Sequence, residues 1–343
     1  MSSQKIESQE KYDFADIMIK PQYSTLSSRS QVNLERTFTF TNSFMRNREI
    51  TWTGIPIIAA NMDTIGTFDV YKVLSKHKMI TAMNKHYTIA DYKNAVENAG
   101  IILDPDYFMV STGISDENFA NLQEIMLYTQ CKWICIDVAN GYMDAFVQFS
   151  KKVRGYYPDK IIVAGNVVTN EMVRRLYEYA EIDIAKIGIG PGSACLTRRQ
   201  TGVGIPQISA VMDCVNPNTY IISDGGIKCP GDVAKAFVAG ADFVMIGGVF
   251  SGHDENPGEL LIENGEKYKL FYGMSSKYAM EKYNGHMENY RSSEGAVIKT
   301  KYKGALENTV LDYLGGLRST CTYVGAQNLT ELFENAKFVK VYR

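Results

Sequence analysis

The sequence predicts an α/β chain folded as a (β/α)8 TIM barrel, with a short N-terminal hairpin extension and a flap inserted after the eighth strand. Three observations predict it. Eight short apolar runs rich in β-branched residues recur at intervals of about 25 residues, most of them ending in Gly, Asn, Asp or Ser. Amphipathic stretches of helical period lie between them. The runs are continuously apolar rather than alternating, which marks strands buried on both faces and hence a parallel sheet covered by helices. Eight such units fit a closed barrel better than an open doubly wound sheet, whose strand count is usually lower.

In chain order, the opening "MSSQKIESQEKYDFADIMIK" is polar and holds no apolar run long enough for a signal peptide. "FTFTNSFMRNREITWTG" reads as a hairpin ahead of the first barrel strand. The strands follow as "IPIIAANMD" (55–63), "MITAMNKHY" (79–87), "YFMVSTGIS" (107–115), "WICIDVANG" (133–141), "KIIVAGNVV" (160–168), "IAKIGIGPG" (184–192), "YIISDGGI" (220–227) and "FVMIGGVFSG" (243–252). Helix-compatible stretches between them include "DVYKVLSKHK", "DENFANLQEIMLYTQ", "DAFVQFSKKVRGYY", "NEMVRRLYEYA" and "GDVAKAFVAGA". Residues 253–305 are rich in Gly, Tyr, Lys and Glu, with few apolar runs. A stretch so long and so poorly apolar at a barrel mouth reads as a flap. The end, from "LENTVLDYLGG" onward, returns to amphipathic helix and closes the outer layer. The whole chain, 1–343, reads as one catalytic domain.

Composition narrows the function. The 343 residues are 45% hydrophobic and 22% charged with a formal net charge of -2, which suits a globular protein with a sizeable core. No block of lysines or arginines points to nucleic acid or an anionic membrane surface as the main partner, and no stretch approaches a membrane span. A cytoplasmic protein is expected. The six cysteines form no CxxC pair, and His77, His86, His253 and His286 show no HxH or HExxH spacing, which argues against a zinc site. A GxGxxG opening a βαβ unit and a GxxxxGK[ST] loop are both missing.

In such a barrel the chemistry lies at the C-terminal ends of the strands. The residues there are Asn61 and Asp63, Lys85 and His86, Ser111 and Thr112, Asp137 and Asn140, Asn166, the loop around Cys195, Ser223 with Asp224, Gly225 and Gly226, and Gly247 with Gly248. "SDGG" and "IGGV" follow strands 7 and 8, where glycines let several backbone N–H groups converge on a phosphate. The alternative is that these glycines only serve tight turns. Asp224 cannot favour a phosphate, but it can accept hydrogen bonds from a ribose diol. Cys195 lies in a glycine-rich loop whose Arg198 and Arg199 are expected to stabilise a thiolate, a nucleophile for an electrophilic carbon.

The motifs "AANMDTIGTF", "MVSTG", "CIDVANGY", "AGNVVT", "KIGIGPGSACLTR", "TGVGIPQ", "ISDGGI", "GDVAKAF", "GADFVMIGG", "FYGMSS" and "LGGLRSTCTYVGA" closely resemble those of the inosine monophosphate dehydrogenase/guanosine monophosphate reductase family. The likeness spans residues 13 to 340 approximately. Two features resemble the reductase branch: the barrel strands leave no room for a regulatory CBS insert, and "YRSSEG" stands where dehydrogenases carry an arginine–tyrosine motif. A dehydrogenase lacking that insert is the alternative, and a silent purine-nucleotide sensor is a third reading.

The resemblance implies NADPH-dependent reductive deamination of GMP to IMP and ammonia through a covalent cysteine thioimidate, a reaction of purine salvage. It implies catalytic roles for Cys195, Thr197 and Glu294, whereas Glu307 in "LENT" reads as structural. For the nucleotide it implies Asp224, Gly225, Gly226, Gly247, Gly248, Gly273, Met274, Ser275, Arg291, Ser292, Ser293 and Gly295. For NADPH it implies Ser28, Arg29, Lys85, Asp137, Val138, Ala139, Ile189, Gly190, Met274, Tyr290, Arg291, Ser319 and Thr322. It further implies a monovalent cation, K+, held by carbonyls of Gly190, Gly192 and Cys195 near Arg198, and a homotetramer. The sequence departs from the family pattern at Leu196, where a threonine is common, and at Asn84, where a histidine often precedes the lysine.

Overall fold

A computed structural model describes residues 6–42, 49–284 and 292–342. The chain begins with β1 (Ile17–Lys20), then an antiparallel hairpin of β2 (Arg36–Phe40) and β3 (Ile50–Gly54). Strict alternation in "RTFTF" and "ITWTG" turns Phe38, Phe40 and Trp52 inward, while the Thr37 and Thr53 hydroxyls pair outside at 2.8 Å.

The barrel follows: β4 (Ile57–Ala59), α1 (Phe68–Leu74), β5 (Ile80–Ala82), α2 (Ile89–Lys93), β6 (Phe108–Thr112), α3 (Asp116–Thr129), β7 (Trp133–Asp137), α4 (Asp144–Tyr156), β8 (Ile161–Val167), α5 (Asn170–Ala180), β9 (Ile184–Ile187), α6 (Thr197–Thr201), α7 (Gln207–Cys214), β10 (Tyr220–Asp224), α8 (Pro230–Val238) and β11 (Phe243–Ile246). All eight barrel strands run parallel, and the sheet closes where Val244 of β11 pairs with Ile57 of β4. The (β/α)8 barrel expected from the eight apolar runs is the fold observed. Helix starts follow local chemistry: Thr67 and Ser115 cap α1 and α3 through their side-chain oxygens, and Pro230 opens α8, where its missing N–H costs nothing.

The hairpin closes the barrel's N-terminal end. Phe38 stacks on Phe243 with ring centroids 4.3 Å apart, and Trp52 meets Trp133 edge-on at 5.6 Å. Trp133 and Phe243 open β7 and β11, so this aromatic plug sits at the opposite end from the rim.

After β11 the flap forms an antiparallel sheet of β12 (Leu261–Glu263), β13 (Glu266–Tyr272) and β14 (Val297–Lys301), with α9 (Lys277–Asn284) between the last two. The chain returns through α10 (Leu306–Tyr323) and α11 (Leu329–Asn335). It then adds β15 (Lys337–Lys340), which pairs antiparallel with β1 in the register Ile17 opposite Lys340. This corrects the reading of the chain's end as helix alone. Each of the two strands is only four residues long, too short for its period to show before its distant partner is known. Among the described residues no helix is long and apolar enough to cross a membrane.

Candidate active site

The loop between β9 and α6 carries Cys195 to the C-terminal rim. The Cys195 thiol is half-buried and donates to Thr197 Oγ1 at 3.3 Å, and the Thr197 hydroxyl donates to Glu294 Oε2 at 2.7 Å. This chain crosses from barrel to flap and is held by backbone on both sides. Leu196 N donates to Glu294 O at 2.6 Å, Ala296 N to Ala194 O at 2.8 Å, and Glu294 N to Ser275 O at 3.1 Å. The arrangement can pass a proton between a nucleophile and a carboxylate without solvent.

The remaining cysteines differ. Cys131, Cys135, Cys214 and Cys321 are buried, and burial pushes each thiol up to about 12, out of range of ionisation near neutrality. Cys229 is exposed at the start of α8.

The arginines beside Cys195 require a correction. Arg198 turns away from the thiol. Its guanidinium pairs with Asp13 at 3.0 Å and donates to the carbonyls of Ile205 at 2.5 Å and Ile189 at 3.3 Å. Its charge is neutralised by Asp13 and spent on bracing the loop, and Arg199 points to solvent. The helical turn that begins at Thr197 folds Arg198 under the loop and leaves Arg199 exposed, which adjacency in sequence conceals.

The floor of the site is a buried charge network. Lys186 Nζ donates to Asp137 Oδ1 at 2.7 Å and Asp224 Oδ2 at 3.0 Å. Asn166 Nδ2 donates to Asp224 Oδ2 at 2.8 Å and Gly188 O at 2.7 Å, and Lys85 approaches Asp137 Oδ2 at 3.6 Å. Burial acts to raise the Asp137 carboxyl, but Lys186 and then Lys85 outweigh it and hold it down at about 2. Burial likewise opposes the Lys186 charge, and Asp137 and Asp224 overcome it, keeping the ammonium well above the usual lysine range. Lys186 is visible in the sequence as the polar exception within "IAKIGIG", a signal the reading above did not use.

Above this floor lies a cleft of about 250 Å³. Of the anticipated residues it is lined by Cys195, Thr197, Glu294, Asp224, Gly225, Gly226, Gly247, Gly248, Gly273, Met274 and Ser275, and by Lys85, Asp137, Val138, Ala139, Ile189, Gly190 and Gly192. Gly225 and Gly226 take φ of +94° and +88°, open to glycine at no steric cost. A Cβ on Gly248 would fall 2.5 Å from Ser193 Oγ, so a side chain there would fit only if Ser193 moved. Ser193, Asn61, Met62, Asn166, Lys186 and Phe271 also line the cleft without having been assigned.

Other anticipated residues lie elsewhere. Ser292 donates to Gln200 Oε1 of α6 at 3.3 Å and so ties the flap to the barrel, whereas Ser293 accepts from Lys277 N at 3.1 Å within the flap. Gly295 is the backbone bridge between Cys195 and Ser276 rather than part of the cleft wall. Ser28 caps the turn Arg29–Gln31, which packs on α10, the helix that carries Ser319 and Thr322, and none of Ser28, Arg29, Ser319 and Thr322 lines the cleft. Tyr290 and Arg291 lie outside the described residues.

A cleft at the C-terminal ends of eight parallel barrel strands is where TIM-barrel enzymes work, and the fold and the site together define one. Comparison with known proteins narrows the class. The family profile described as IMP dehydrogenase / GMP reductase domain matches residues 11–343. The chain is 52% identical over 342 residues to GMP reductase 1 of Mus musculus, covering 98% of this chain and 97% of that one. It is 48% identical over 345 residues to the GMP reductase of Caenorhabditis elegans (98% and 94%) and 50% identical over 344 residues to that of Buchnera aphidicola subsp. Schizaphis graminum (98% and 96%). The chain belongs to the IMP dehydrogenase/GMP reductase family.

Proposed function

We propose that this protein catalyses the NADPH-dependent reductive deamination of GMP to IMP and ammonia, a step of purine salvage. The observation that carries the reading is the unbroken Cys195–Thr197–Glu294 chain in a cleft floored by Lys186 and its carboxylates. The glycine turns at 225–226 and 247–248 suit the nucleotide phosphate, and the Asp224 oxygen not taken by Lys186 and Asn166 suits the ribose diol.

The chemistry follows from those groups. Cys195 sulfur forms a bond to purine C2, and the thiol proton passes through Thr197 and Glu294 to the exocyclic amine. The C2–N bond breaks, ammonia departs and a thioimidate remains on Cys195. NADPH, when bound, supplies the hydride for C2. Glu294, reprotonated from solvent after ammonia departs, passes that proton through Thr197 to the sulfur as the C–S bond breaks and IMP leaves.

The residues fit the cofactor. Lys85, Asp137, Val138, Ala139, Ile189, Gly190 and Met274 all line the cleft, and the buried Asn166 Oδ1 on its wall has no partner among the described residues. A K+ ion would be held by carbonyls of Gly190, Gly192 and Cys195. Gly192 O already accepts Cys195 N–H at 3.0 Å, and Arg198 braces the same loop without being a ligand. A homotetramer accounts for the second cluster: one copy's Ser28, Arg29, Ser319 and Thr322 can meet a neighbour's cleft. We read the chain as one cytoplasmic catalytic domain without a CBS insert.

The test is NADPH absorbance in potassium buffer with GMP added, beside a cuvette of NAD with IMP. GMP-dependent NADPH loss with stoichiometric ammonia supports the reductase. NAD reduction by IMP moves the assignment to the dehydrogenase, and silence in both with GMP bound favours a sensor.

A further inference from the structure

The flap reaches the barrel through two separate anchors. One is the backbone pairing of Glu294 and Ala296 with the cysteine loop and Ser275. The other converges on a single buried atom. Asp63, in the loop after β4, is 5% exposed, and its Oδ2 accepts from Tyr272 Oη at 2.5 Å, Tyr283 Oη at 2.8 Å and Lys282 Nζ at 2.9 Å. All three donors belong to the flap. Tyr272 ends β13 and the other two lie in the last turn of α9, so one carboxylate gathers both ends of the flap's helical arm.

The neighbourhood strengthens the contact. Asp63 N meets Met274 Sδ at 3.4 Å, the Tyr283 ring lies flat on His86 at 3.7 Å and 7°, and Asn84 Oδ1 accepts from His86 N at 3.1 Å. His86 directly follows Lys85, and Met274 and Lys85 both line the cleft. Asn84, the departure from the family pattern, therefore holds the backbone of the histidine on which Tyr283 stacks. Charge-assisted bonds to a buried carboxylate are the strong kind, unlike an exposed ion pair.

We infer that Asp63 is a positioning residue that seats the flap's helical arm over the cofactor side of the cleft, acting through Tyr272, Lys282 and Tyr283 without touching the reacting atoms. This rests on the reading of the chain as an NADPH-dependent reductase. Because Glu294 has its own anchor, losing the Asp63 contact loosens cofactor binding and spares the Cys195–Thr197–Glu294 chain.

The experiment pairs kinetics with amide hydrogen exchange on the full-length protein. Asp63→Asn is expected to raise KM for NADPH at least about ten-fold while kcat stays within about three-fold. In the ligand-free protein, exchange over 272–283 should accelerate while 294–296 is unchanged. Lys282→Gln alters a side chain that is 49% exposed and leaves the core intact, so it serves if Asp63→Asn does not fold. It should raise KM by about three-fold with the same exchange contrast. Equal acceleration in both segments, or kcat falling as steeply as KM rises, overturns the inference. If the wild-type protein oxidises no NADPH with GMP, the functional reading fails, and the exchange contrast alone decides whether Asp63 seats the arm.

Discussion

At the N-terminal end of the barrel, Phe38, Phe40 and Trp52 meet Trp133, Tyr220 and Phe243 in ring contacts of 4.3 to 5.8 Å. At the C-terminal end the same strands finish in Asp137, Asn166 and Asp224, with Lys186 buried among them. The same eight strands carry both ends, so the difference lies in the residues alone. The apolar end returns free energy through burial and packing. The polar end places charges in a low-dielectric site, where they act on a ligand only if every one is held by another. The first end should therefore carry stability and the second activity.

Removing the proposed nucleophile tests this most severely. Cys195→Ala should lower kcat by at least about 10⁴-fold, because the covalent route is lost, while the thermal midpoint stays within about 2 °C of the parent. Turnover and calorimetry on one preparation check both halves. Trp52→Ala should do the reverse. It removes a buried ring and the Nε1 bond to Asp106 O, and should cost about 4 kcal/mol in denaturant unfolding, with kcat per folded molecule unchanged.

Lys186→Met should cross the divide, since it harms both properties. Two carboxylates lose their shared cation, and stability at pH 7 should fall by about 3 kcal/mol. The pH dependence has a definite sign. Asp137 is depressed to about 2 from an ordinary 3.8, so its stabilisation is present above 3.8 and is lost as pH falls through 2. The difference between parent and variant should shrink steadily on acidification from pH 5 to about 2 in urea unfolding curves. A difference independent of pH would show that the network contributes packing rather than charge.

The two ends were unequally legible in the sequence. The barrel strands and the hairpin plug announce themselves, because continuous apolar runs and strict alternation are local patterns. Cys195 and the glycine turns are local too, and the rim placed them. Contacts between distant segments were hidden. Asp63 meets Tyr272, Lys282 and Tyr283 across more than 200 positions, and the strand pair Ile17–Lys20 with Lys337–Lys340 joins the two chain ends. Glu294 came only from the family resemblance, since nothing near it in the chain points to Thr197. Arg198 was misread for the opposite reason: nearness to Cys195 suggested a partner, whereas its carboxylate lies 185 positions away at Asp13.

The smallest expected effect concerns a charged pair at the apolar end. Asp242, just ahead of β11, pairs with Arg36 of the hairpin at 3.1 Å and accepts from Ile221 N at 3.0 Å. Burial raises its carboxyl to about 6 from an ordinary 3.8, more than Arg36 and the Ile221 amide can offset. The sign is opposite to that of Asp137: the folded state holds the proton more tightly, so the charged carboxylate costs stability above pH 6 and nothing below 3.8. Asp242→Asn removes that cost, and its amide oxygen can still accept from Ile221. The variant should gain about 1 kcal/mol at pH 8 and lose the gain by about pH 4, read as unfolding midpoints across that range. A loss at pH 8 would show that the ion pair with Arg36 outweighs the cost of burying the charge. The end built of aromatic rings would then also depend on a held charge, and the contrast between the two ends would narrow to one of degree.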